Sequence, residues 1–378
     1  MRRALSLLGL AWWAACAPVP DSIDTTKDRY LERRPSPAAM IDASGNYQGG
    51  WYESFTGEFN VKQASGDAYN LKKWLHFNID DPRFYVVAQM VRTDFAGNIA
   101  IVVTDKQTGT FHSEDVVQMF SQTLQGDDGA TTFTDSATGS HLSLIDGVLE
   151  FDVVANGVRV KGTAREVLTP AYVQITRMND GYGALGFWGN LALTEATVTL
   201  DGEEHALTPG SLGLYDRTVG HQRTTLNWNY LATSGQARNR VTGEVRPFSV
   251  QGAIDRPRSK PQVHSQNHGF WLGNAFAKVE ELVFDYEVTD AKKRSTGPWH
   301  VYTPAGPGRT ARLDLTIGPP PGFDALFHRA NQSADLWIVE RDFHQFYGLV
   351  TGTLELNGET WDLEPGTWAL AEEALVIL

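Results

Sequence analysis

Apolar and polar residues alternate along much of the chain, which is typical of half-buried β-strands. The clearest register lies around Asn156-Gly157, residue types that favour a two-residue hairpin turn matching strand twist. Pairing across this turn sets Val153 opposite Val160 and Asp152 opposite Lys161. Apolar residues then share one face and opposite charges share the other. The pattern therefore predicts a β-hairpin here.

The same alternation predicts an all-β protein with few short helices. A second turn, Asp146-Gly147, extends the hairpin to a three-stranded meander over about residues 140–164. One segment favours a helix, Glu114–Leu124, with Ser113 as N-cap and Val116 in its apolar stripe. Short strands separated by turns are typical of a sandwich or a barrel. Further strands are predicted at 84–92, 98–104, 192–200, 203–208, 282–288, 311–317, 335–341, 348–356 and 359–363.

An internal repeat indicates that the β architecture is duplicated. Leu200–Leu214 and Leu356–Leu370 match at seven of fifteen positions with a constant offset of 156. Two similar hairpin turns could arise by coincidence, but the strand start at Leu71–Trp74 also has a counterpart at Leu226–Trp228. We therefore expect two copies of one β-barrel, the first over residues 47–208 and the second over residues 209–378.

Length and composition agree with two folded domains. The 378 residues carry 42% hydrophobic side chains and only 20% charged ones, which excludes wholesale disorder. The formal net charge of −13 argues against nucleic-acid binding. A single cysteine excludes a disulfide framework and a thiolate zinc cluster.

The N-terminus is typical of an exported protein. Two arginines, a short apolar run and small residues before Cys16 make up a predicted signal peptide over residues 1–15. This segment resembles the bacterial lipoprotein signal, which implies that Cys16 is lipidated, although an ordinary cleaved signal is the alternative. Residues 16–46, rich in Pro and charge, are predicted to be a flexible tether. The expected location is the periplasmic face of the outer membrane.

Several short motifs, among them Leu71–Trp74, Tyr215-Asp216-Arg217 and Asn227–Tyr230, resemble those of an uncharacterised bacterial family over roughly Gly49–Gly366. That family is similar to carotenoid hydratase (hydroxyneurosporene synthase) and to AttH-like proteins. The resemblance implies two tandem lipocalin-like antiparallel β-barrels and a site for hydrophobic ligands. The residues that carry it are Leu71–Trp74, Asp81-Pro82, Asp105–Gly109, Tyr215-Asp216-Arg217, Thr224-Thr225, Asn227–Tyr230, Gly235, Asn267 and Gly348.

Aromatic side chains are the predicted ligand contacts. Inward-facing rings could hold an acyl or isoprenoid chain by burying its methylene groups. The alternative is that the same rings simply fill the barrels. The candidate ligand-binding residues are Trp228, Asn229, Trp74, Asn267 and Trp271.

Asp216 is the candidate catalytic acid. A buried carboxyl with a raised pKa could protonate an alkene, as the carotenoid hydratase resemblance implies. His221 and Tyr230 are the nearest candidate bases in the sequence. A purely structural role, in which Asp216 and Arg217 cap the linker between the domains, is the alternative.

Other polar patterns favour structural roles. His264 and His268 have the spacing of metal ligands on a helix but lie in a loop-like segment, so no metal is expected. His205 is expected to be a satisfied hairpin residue. Glu150 and Asp152 resemble paired glycosidase acids, yet the predicted register places them on a solvated face. The basic segment Asp255–Pro261 could contact anionic lipid headgroups, but a solvated loop is the favoured interpretation.

Taken together, the sequence predicts a lipid-anchored periplasmic protein that binds or carries a hydrophobic small molecule. The alternative is a hydratase, cyclase or isomerase that acts through Asp216. A carbohydrate-binding β-sandwich is the third class considered. No cofactor and no nucleic-acid partner are expected, and contact with the membrane is expected through the N-terminal lipid.

Overall fold

The computed structural model describes residues 32–66, 70–119, 123–177, 182–222, 225–255, 267–287, 297–331 and 340–377. Apart from one turn of 3-10 helix, Val61–Gln63, the elements within these ranges are β-strands. None of the described residues form a helix of the length and hydropathy that crossing a bilayer requires. The predicted all-β class is confirmed.

The first half contributes the strands β1 Arg33–Arg34, β2 Gly50–Tyr52, β3 Leu71–Asp80, β4 Phe84–Thr93, β5 Ala96–Asp105, β6 Phe111–Met119, β7 Leu124–Gly126, β8 Thr132–Asp135, β9 Ser140–Ile145, β10 Val148–Ala155, β11 Val158–Arg177, β12 Gly183–Leu200, β13 Glu203–Ala206 and β14 Leu212–His221. The second half contributes β15 Thr225–Asn239, β16 Val245–Asp255, β17 Asn267–Leu272, β18 Ala275–Lys278, β19 Val283–Asp285, β20 Trp299–Tyr302, β21 Ala311–Gly318, β22 Phe327–Asn331, β23 Glu340–Leu356, β24 Glu359–Leu363 and β25 Trp368–Ile377.

The strands form two sheets with the same order. In the first sheet β3 is followed by β14, β12 and β11; in the second sheet β15 is followed by β25, β23 and β21. The repeated hairpins also share their register, because Val198 pairs with His205 and Leu354 pairs with Trp361. The duplication predicted from the sequence offset is therefore confirmed at the level of topology.

Each sheet curls around its own apolar core to form a lipocalin-like barrel. In the first barrel Phe77, Phe133 and Val160 are fully buried together. The barrel nearly closes where Gly97 of β5 meets β7, since a Cβ at this glycine would lie 2.7 Å from Leu124 Cδ2. A second core, which includes Trp299, fills the second barrel.

The predicted meander has the predicted register. Val153 pairs with Val160 and Asp152 pairs with Lys161 across the Asn156-Gly157 turn, at which Asn156 has φ 45° and Gly157 has φ 92°. Such positive φ values are those of the primed hairpin turns. The residues of the turn therefore determine the register of this hairpin.

The helix predicted over Glu114–Leu124 is wrong. Residues Phe111–Met119 form strand β6, paired with β5, and Leu124 begins strand β7. Val117, next to Val116 of the predicted apolar stripe, is 53% exposed. Adjacent valines on opposite faces favour a strand, and pairing with β5 supplies the hydrogen bonds.

The end of the first barrel and the start of the folded region differ from the predicted boundaries. β14 pairs with β12 and β3, so the first barrel extends beyond residue 208 to His221. At the other end, Arg33 and Arg34 pair with β2, and Met40 and Ile41 are buried in the first core. The folded body therefore begins well before Tyr47, and the predicted tether is shorter than residues 16–46.

Candidate functional site

Strand β14 presents two different faces. Tyr215 points into the core of the first barrel, whereas Leu214 joins an apolar cluster that includes Tyr230, Tyr347 and Trp368 of the second half. Because side chains alternate along a strand, Asp216 lies on the same face as Leu214 and points between the two barrels. The chemistry of this interface depends on that alternation.

Asp216 lies directly opposite His76 of the neighbouring strand β3. Antiparallel partners of this kind have Cβ atoms about 5 Å apart. The Thr218 hydroxyl donates a hydrogen bond of 2.9 Å to Asp216 Oδ1, and the indole N–H groups of Trp74 and Trp188 also donate to this carboxyl group. The carboxyl group is therefore fixed by neutral donors rather than by a cation.

The Asp216 carboxyl group lies deep in the protein, although the residue as a whole is only partly buried. Trp74 and Trp228 are also only partly buried. Burial raises the Asp216 pKa to about 7, and the donated hydrogen bonds only partly offset this effect. Near neutral pH this group therefore exists as a mixture of acid and carboxylate, which suits a general acid.

His76 is buried and makes no hydrogen bond through either ring nitrogen within the described part of the chain. Burial, reinforced by the Arg329 charge, lowers its pKa to about 4. The imidazole is therefore neutral at pH 7 and has a free nitrogen lone pair. A buried polar ring without a partner is rare and marks a functional candidate.

The second barrel carries an acid and a tryptophan at the positions equivalent to those of Asp216 and Trp74. The offset of 156 carries Asp216 onto Glu372, which lies directly opposite Tyr230 of β15. Trp228 donates its indole N–H to Glu372 Oε2 at 3.2 Å, as Trp74 does to Asp216. The interface therefore contains two acid and tryptophan pairs, one from each copy.

The residues opposite the two acids, His76 and Tyr230, meet at the centre of the interface. The rings of His76 and Tyr230 lie edge to face with centroids 6.2 Å apart. Burial, with the charges of Asp216 and Glu372 nearby, raises the Tyr230 pKa well above its usual value. Tyr230 therefore remains a protonated phenol, and its hydroxyl has no well-aligned partner among the described residues.

A hydrogen-bonded network through Gln345 holds the Glu372 carboxyl group in place. Gln345 donates from Nε2 to Glu372 Oε1 at 2.5 Å, and its own Oε1 accepts from Tyr347 at 2.8 Å and from Arg329. Arg329 also forms an ion pair with Asp115 of the first barrel. The network links the two halves and places a buried cation within electrostatic reach of His76.

Two apolar clusters adjoin the polar centre. One contains Tyr85, Leu214 and Trp368 together with Tyr230, and the other contains Tyr172, Trp188 and Trp271. Each cluster draws residues from both sheets. A polar centre with aromatic neighbours of this kind suits a mostly apolar small molecule.

The structure brings together four of the residues predicted from the sequence, namely Asp216, Tyr230, Trp74 and Trp228. His221 is not among them: it points the other way along β14 and bonds the Tyr47 hydroxyl through Nδ1 at 2.8 Å. The combination of Asp216 with His221 as base is therefore not supported.

Two other predicted ligand contacts lie outside the polar centre. Asn229 points into the second barrel and donates to the Tyr286 hydroxyl at 3.0 Å. Trp271 lies in the apolar cluster with Trp188 and donates its indole N–H to the Pro170 carbonyl at 2.8 Å. The backbone of Asn267 begins β17, but its side chain lies outside the described residues, as does Cys16.

Sequence reasoning missed His76, Glu372, Gln345 and Arg329. The repeat offset could have found Glu372, because it maps Asp216 directly onto that position. His76 lies two residues from Trp74 on the same face of one strand, which also could have been read from the alternation. Gln345 and Arg329 had no local signal.

The remaining polar candidates fall outside this site. His264 and the segment 256–261 lie outside the described residues, whereas His268 is buried on the inward face of β17. Glu150 pairs with Thr163, and Asp152 is held by exposed Arg159 at 2.6 Å. In the described ranges no group of three or more His, Cys, Asp or Glu side chains could hold a metal ion.

Comparison with known proteins gives a family match and a fold. Residues 32–167 match a domain of unknown function, DUF2804. No curated protein matches the chain. The domain match and the structural likenesses below confirm the resemblance drawn from the sequence motifs.

Two solved structures, CghA and an AttH-like protein, share the fold of this chain. CghA is 14% identical, with a TM-score of 0.52 over 80% of this chain and 87% of that chain. An AttH-like protein from Nitrosomonas europaea is 10% identical, with a TM-score of 0.51 over 83% of this chain and 95% of that chain. Kievitone hydratase from Nectria haematococca is 13% identical, with a TM-score of 0.47 over 80% of this chain and 88% of that chain.

Proposed function

We propose that the protein catalyses a cofactor-independent proton transfer on a mostly apolar, unsaturated small molecule bound between the two barrels. Hydration, dehydration, isomerisation and cyclisation belong to this reaction class. The observation that carries the proposal is Asp216, whose pKa is raised to about 7 opposite an unpartnered neutral His76. Two titratable groups with pKa values displaced in opposite directions are typical of acid and base pairs.

The proposed mechanism uses both members of the pair. Protonated Asp216 donates its proton to an alkene carbon, and the positive charge that develops lies near Trp74, whose indole N–H bonds the same carboxyl group. Water then adds to the carbon, and neutral His76 accepts the proton that this water releases. Return of that proton from His76 to the Asp216 carboxylate restores the resting state, so no net proton is consumed.

Tyr230 has a separate role in this proposal. Its phenol remains protonated and can donate a hydrogen bond to an oxygen of the substrate. Glu372, held by Trp228 and Gln345, lies beside Tyr230 in the same interface. These groups position and stabilise, whereas Asp216 and His76 move protons.

Deuterium incorporation tests the proposal with a panel of candidate substrates. The protein is incubated in deuterium oxide with isoprenoid alkenes and enones, and mass spectrometry detects the label in substrate or product. We expect wild type to label at least one compound, and Asp216→Asn to label it about 100-fold more slowly or worse. Glu150→Gln, an exposed acid, is the matched control. Unchanged labelling by Asp216→Asn removes Asp216 from the mechanism.

A second proposal keeps the predicted role of carrier. Trp74 and Trp228 remain partly accessible deep in the interface, which suits binding of an apolar ligand even without turnover. Native mass spectrometry of gently purified protein tests this role. A co-purifying lipid that survives in Asp216→Asn supports carriage, whereas protein without any bound molecule opposes it.

A further inference from the structure

The inward face of β14 carries a second unusual group, Arg217, on the side opposite to Asp216. Its guanidinium carbon lies 3.6 Å from the centroid of the Phe187 ring and 5.9 Å from that of Phe59. Arg217 is directly opposite Phe187 and Leu75 on the flanking strands. The arginine therefore lies inside the first barrel, stacked on aromatic rings.

Arg217 has no hydrogen bond or ion pair with any residue that the structure describes. Its Nε is enclosed without a partner, although part of the side chain is accessible. Desolvation lowers the Arg217 pKa, but an arginine remains charged at any physiological pH. A buried cation without a counterion is costly, so a retained one indicates an anion that is supplied from outside.

The nearby charged groups are occupied by other partners. Glu166 accepts a hydrogen bond from the Tyr215 hydroxyl at 2.9 Å, and burial raises the Glu166 pKa. Asp127 accepts from the backbone N–H groups of Thr131 at 2.6 Å and Thr132 at 3.0 Å. These carboxyl groups contribute a field at Arg217 but do not bind it.

One further cation lies on this face. Lys73, on the neighbouring strand β3, is held by the Asp127 carbonyl at 2.8 Å and by the Asp128 carboxylate at 2.9 Å. Lys73 is therefore neutralised within the protein, and Arg217 is left as the free cation among these described groups. A single planar guanidinium suits a carboxylate, whereas a phosphate ester usually requires more positive charge.

The surroundings of Arg217 are apolar and aromatic. Phe55 and Phe59 contact each other with ring centroids 4.9 Å apart, and each lies 6.3 Å from Phe187. Both rings remain partly accessible and pack against the apolar core of the first barrel. A hydrocarbon chain that entered here would bury its methylene groups against them.

We propose that the first barrel binds the carboxylate of an apolar small molecule, of the fatty-acid class, with Arg217 as its anchor and Phe55, Phe59 and Phe187 around the adjoining methylene groups. This site is separate from the acid and base pair, because alternation places Arg217 and Asp216 on opposite faces of β14. It does not depend on the proton transfer proposed above.

Calorimetry on the full chain tests the anchor with two matched probes, dodecanoate and its neutral counterpart dodecanol. We expect wild type to bind dodecanoate, and Arg217→Met to bind it about tenfold to hundredfold more weakly. Binding of dodecanol should be similar in the two proteins. Arg165→Met, which removes an exposed arginine from the same barrel, is the control and should leave both affinities unchanged.

Thermal unfolding without ligand provides an independent readout. Removal of an unpaired buried charge should raise the melting temperature of Arg217→Met above that of wild type, whereas loss of a structural arginine would lower it. Arg217→Lys keeps the charge without the planar fork, and should bind dodecanoate more weakly than wild type but better than Arg217→Met.

Three outcomes overturn the anchor: equal binding of dodecanoate by wild type and Arg217→Met, no preference of wild type for dodecanoate over dodecanol, or a melting temperature of Arg217→Met below that of wild type. Asp216→Asn should bind dodecanoate as wild type does. Failure of the proton-transfer proposal and failure of the carboxylate site are therefore distinguishable.

Discussion

Asp216 and His76 show how one environment displaces two pKa values in opposite directions. Both groups are buried at paired positions of β14 and β3. Burial opposes charge, so it raises the pKa of the acid to about 7 and lowers the pKa of the base to about 4. At neutral pH the pair therefore contains an acid that can donate and a base that can accept.

The Asp216 pKa predicts how stability depends on pH. The folded state holds the Asp216 proton more tightly than the unfolded state, so wild-type stability falls as pH rises from about 4 to about 7. Asp216→Asn lacks this loss. We expect the free energy of unfolding of the variant, relative to that of wild type, to rise by about 2–4 kcal/mol when the pH is raised from 4 to 7.5. Urea denaturation at the two pH values measures this difference. A constant difference across this range would contradict the raised pKa.

His76 predicts the opposite slope. Its folded pKa lies below the unfolded value of 6.5, so the imidazole makes wild type lose stability as pH falls from about 6.5 to about 4. His76→Gln should remove this loss. Its free energy of unfolding, relative to that of wild type, should rise by about 2–3 kcal/mol when the pH is lowered from 7 to 4. His205→Gln, in the hairpin away from the interface, is the control. A pH-independent effect of His76→Gln would show that the imidazole charge is not involved.

At the scale of elements, one carboxylate fixes the turn between β3 and β4 and the loop that precedes β14. Asp81 Oδ1 accepts from the backbone N–H groups of Arg83 at 2.9 Å and Phe84 at 3.1 Å. Its Oδ2 accepts from Thr208 N–H at 2.7 Å and from the Ser211 hydroxyl at 3.2 Å. These bonds set the entry of β14 and therefore the position of Asp216.

Replacement of Asp81 should be costly. Asp81→Asn places an amide group where four donors converge, so we expect a loss of about 2–4 kcal/mol in the free energy of unfolding at pH 7. The hydrogen bonds lower the Asp81 pKa, so this contribution is present above about pH 4 and disappears as pH falls through the folded pKa. Asp152→Asn, which breaks the exposed pair with Arg159, should cost less than about 1 kcal/mol. Equal losses in the two variants would show that the four hydrogen bonds to Asp81 stabilise the fold no more than an exposed ion pair does.

At the scale of the whole molecule, the two barrels meet without a shared sheet. Within the described ranges the strands of one sheet do not pair with those of the other. The apolar clusters that join the barrels contain Tyr85, Trp188, Trp271 and Trp368. A separated half would expose these rings to water.

A split chain tests this dependence. Residues 32–222 and residues 225–378, expressed separately, should each aggregate or unfold, because each half loses its share of both aromatic clusters. When the halves are expressed together, we expect them to elute as one complex on gel filtration. Two soluble, folded halves that do not associate would show that the interface contributes little.

The N-terminal lipid remains a prediction from the sequence. Cys16→Ser should abolish incorporation of labelled palmitate and shift the protein from the membrane fraction to the soluble fraction of cells. Cys16 is the chain's only cysteine, so the label has no alternative thiol. Persistence of the label in the variant would contradict lipidation.

The sequence by itself determined the all-β class, the hairpin register and the duplication, because each depends on short-range patterns such as Asn156-Gly157 or on similarity at a fixed offset. It also singled out Asp216. It failed for Glu114–Leu124, where adjacent valines fit either a helix or a strand, since the choice was made by pairing with β5.

The tertiary structure alone decided which side chains meet. Alternation along β14 sends Asp216 towards His76 and Tyr230, and sends Arg217 and His221 into the first barrel. The pKa of a carboxyl group depends on its burial and on charges that are distant in sequence, and these exist only after the two barrels have packed. For this reason the acid was visible in the sequence, whereas the pairing of β14 with β3 that sets His76 opposite it was not.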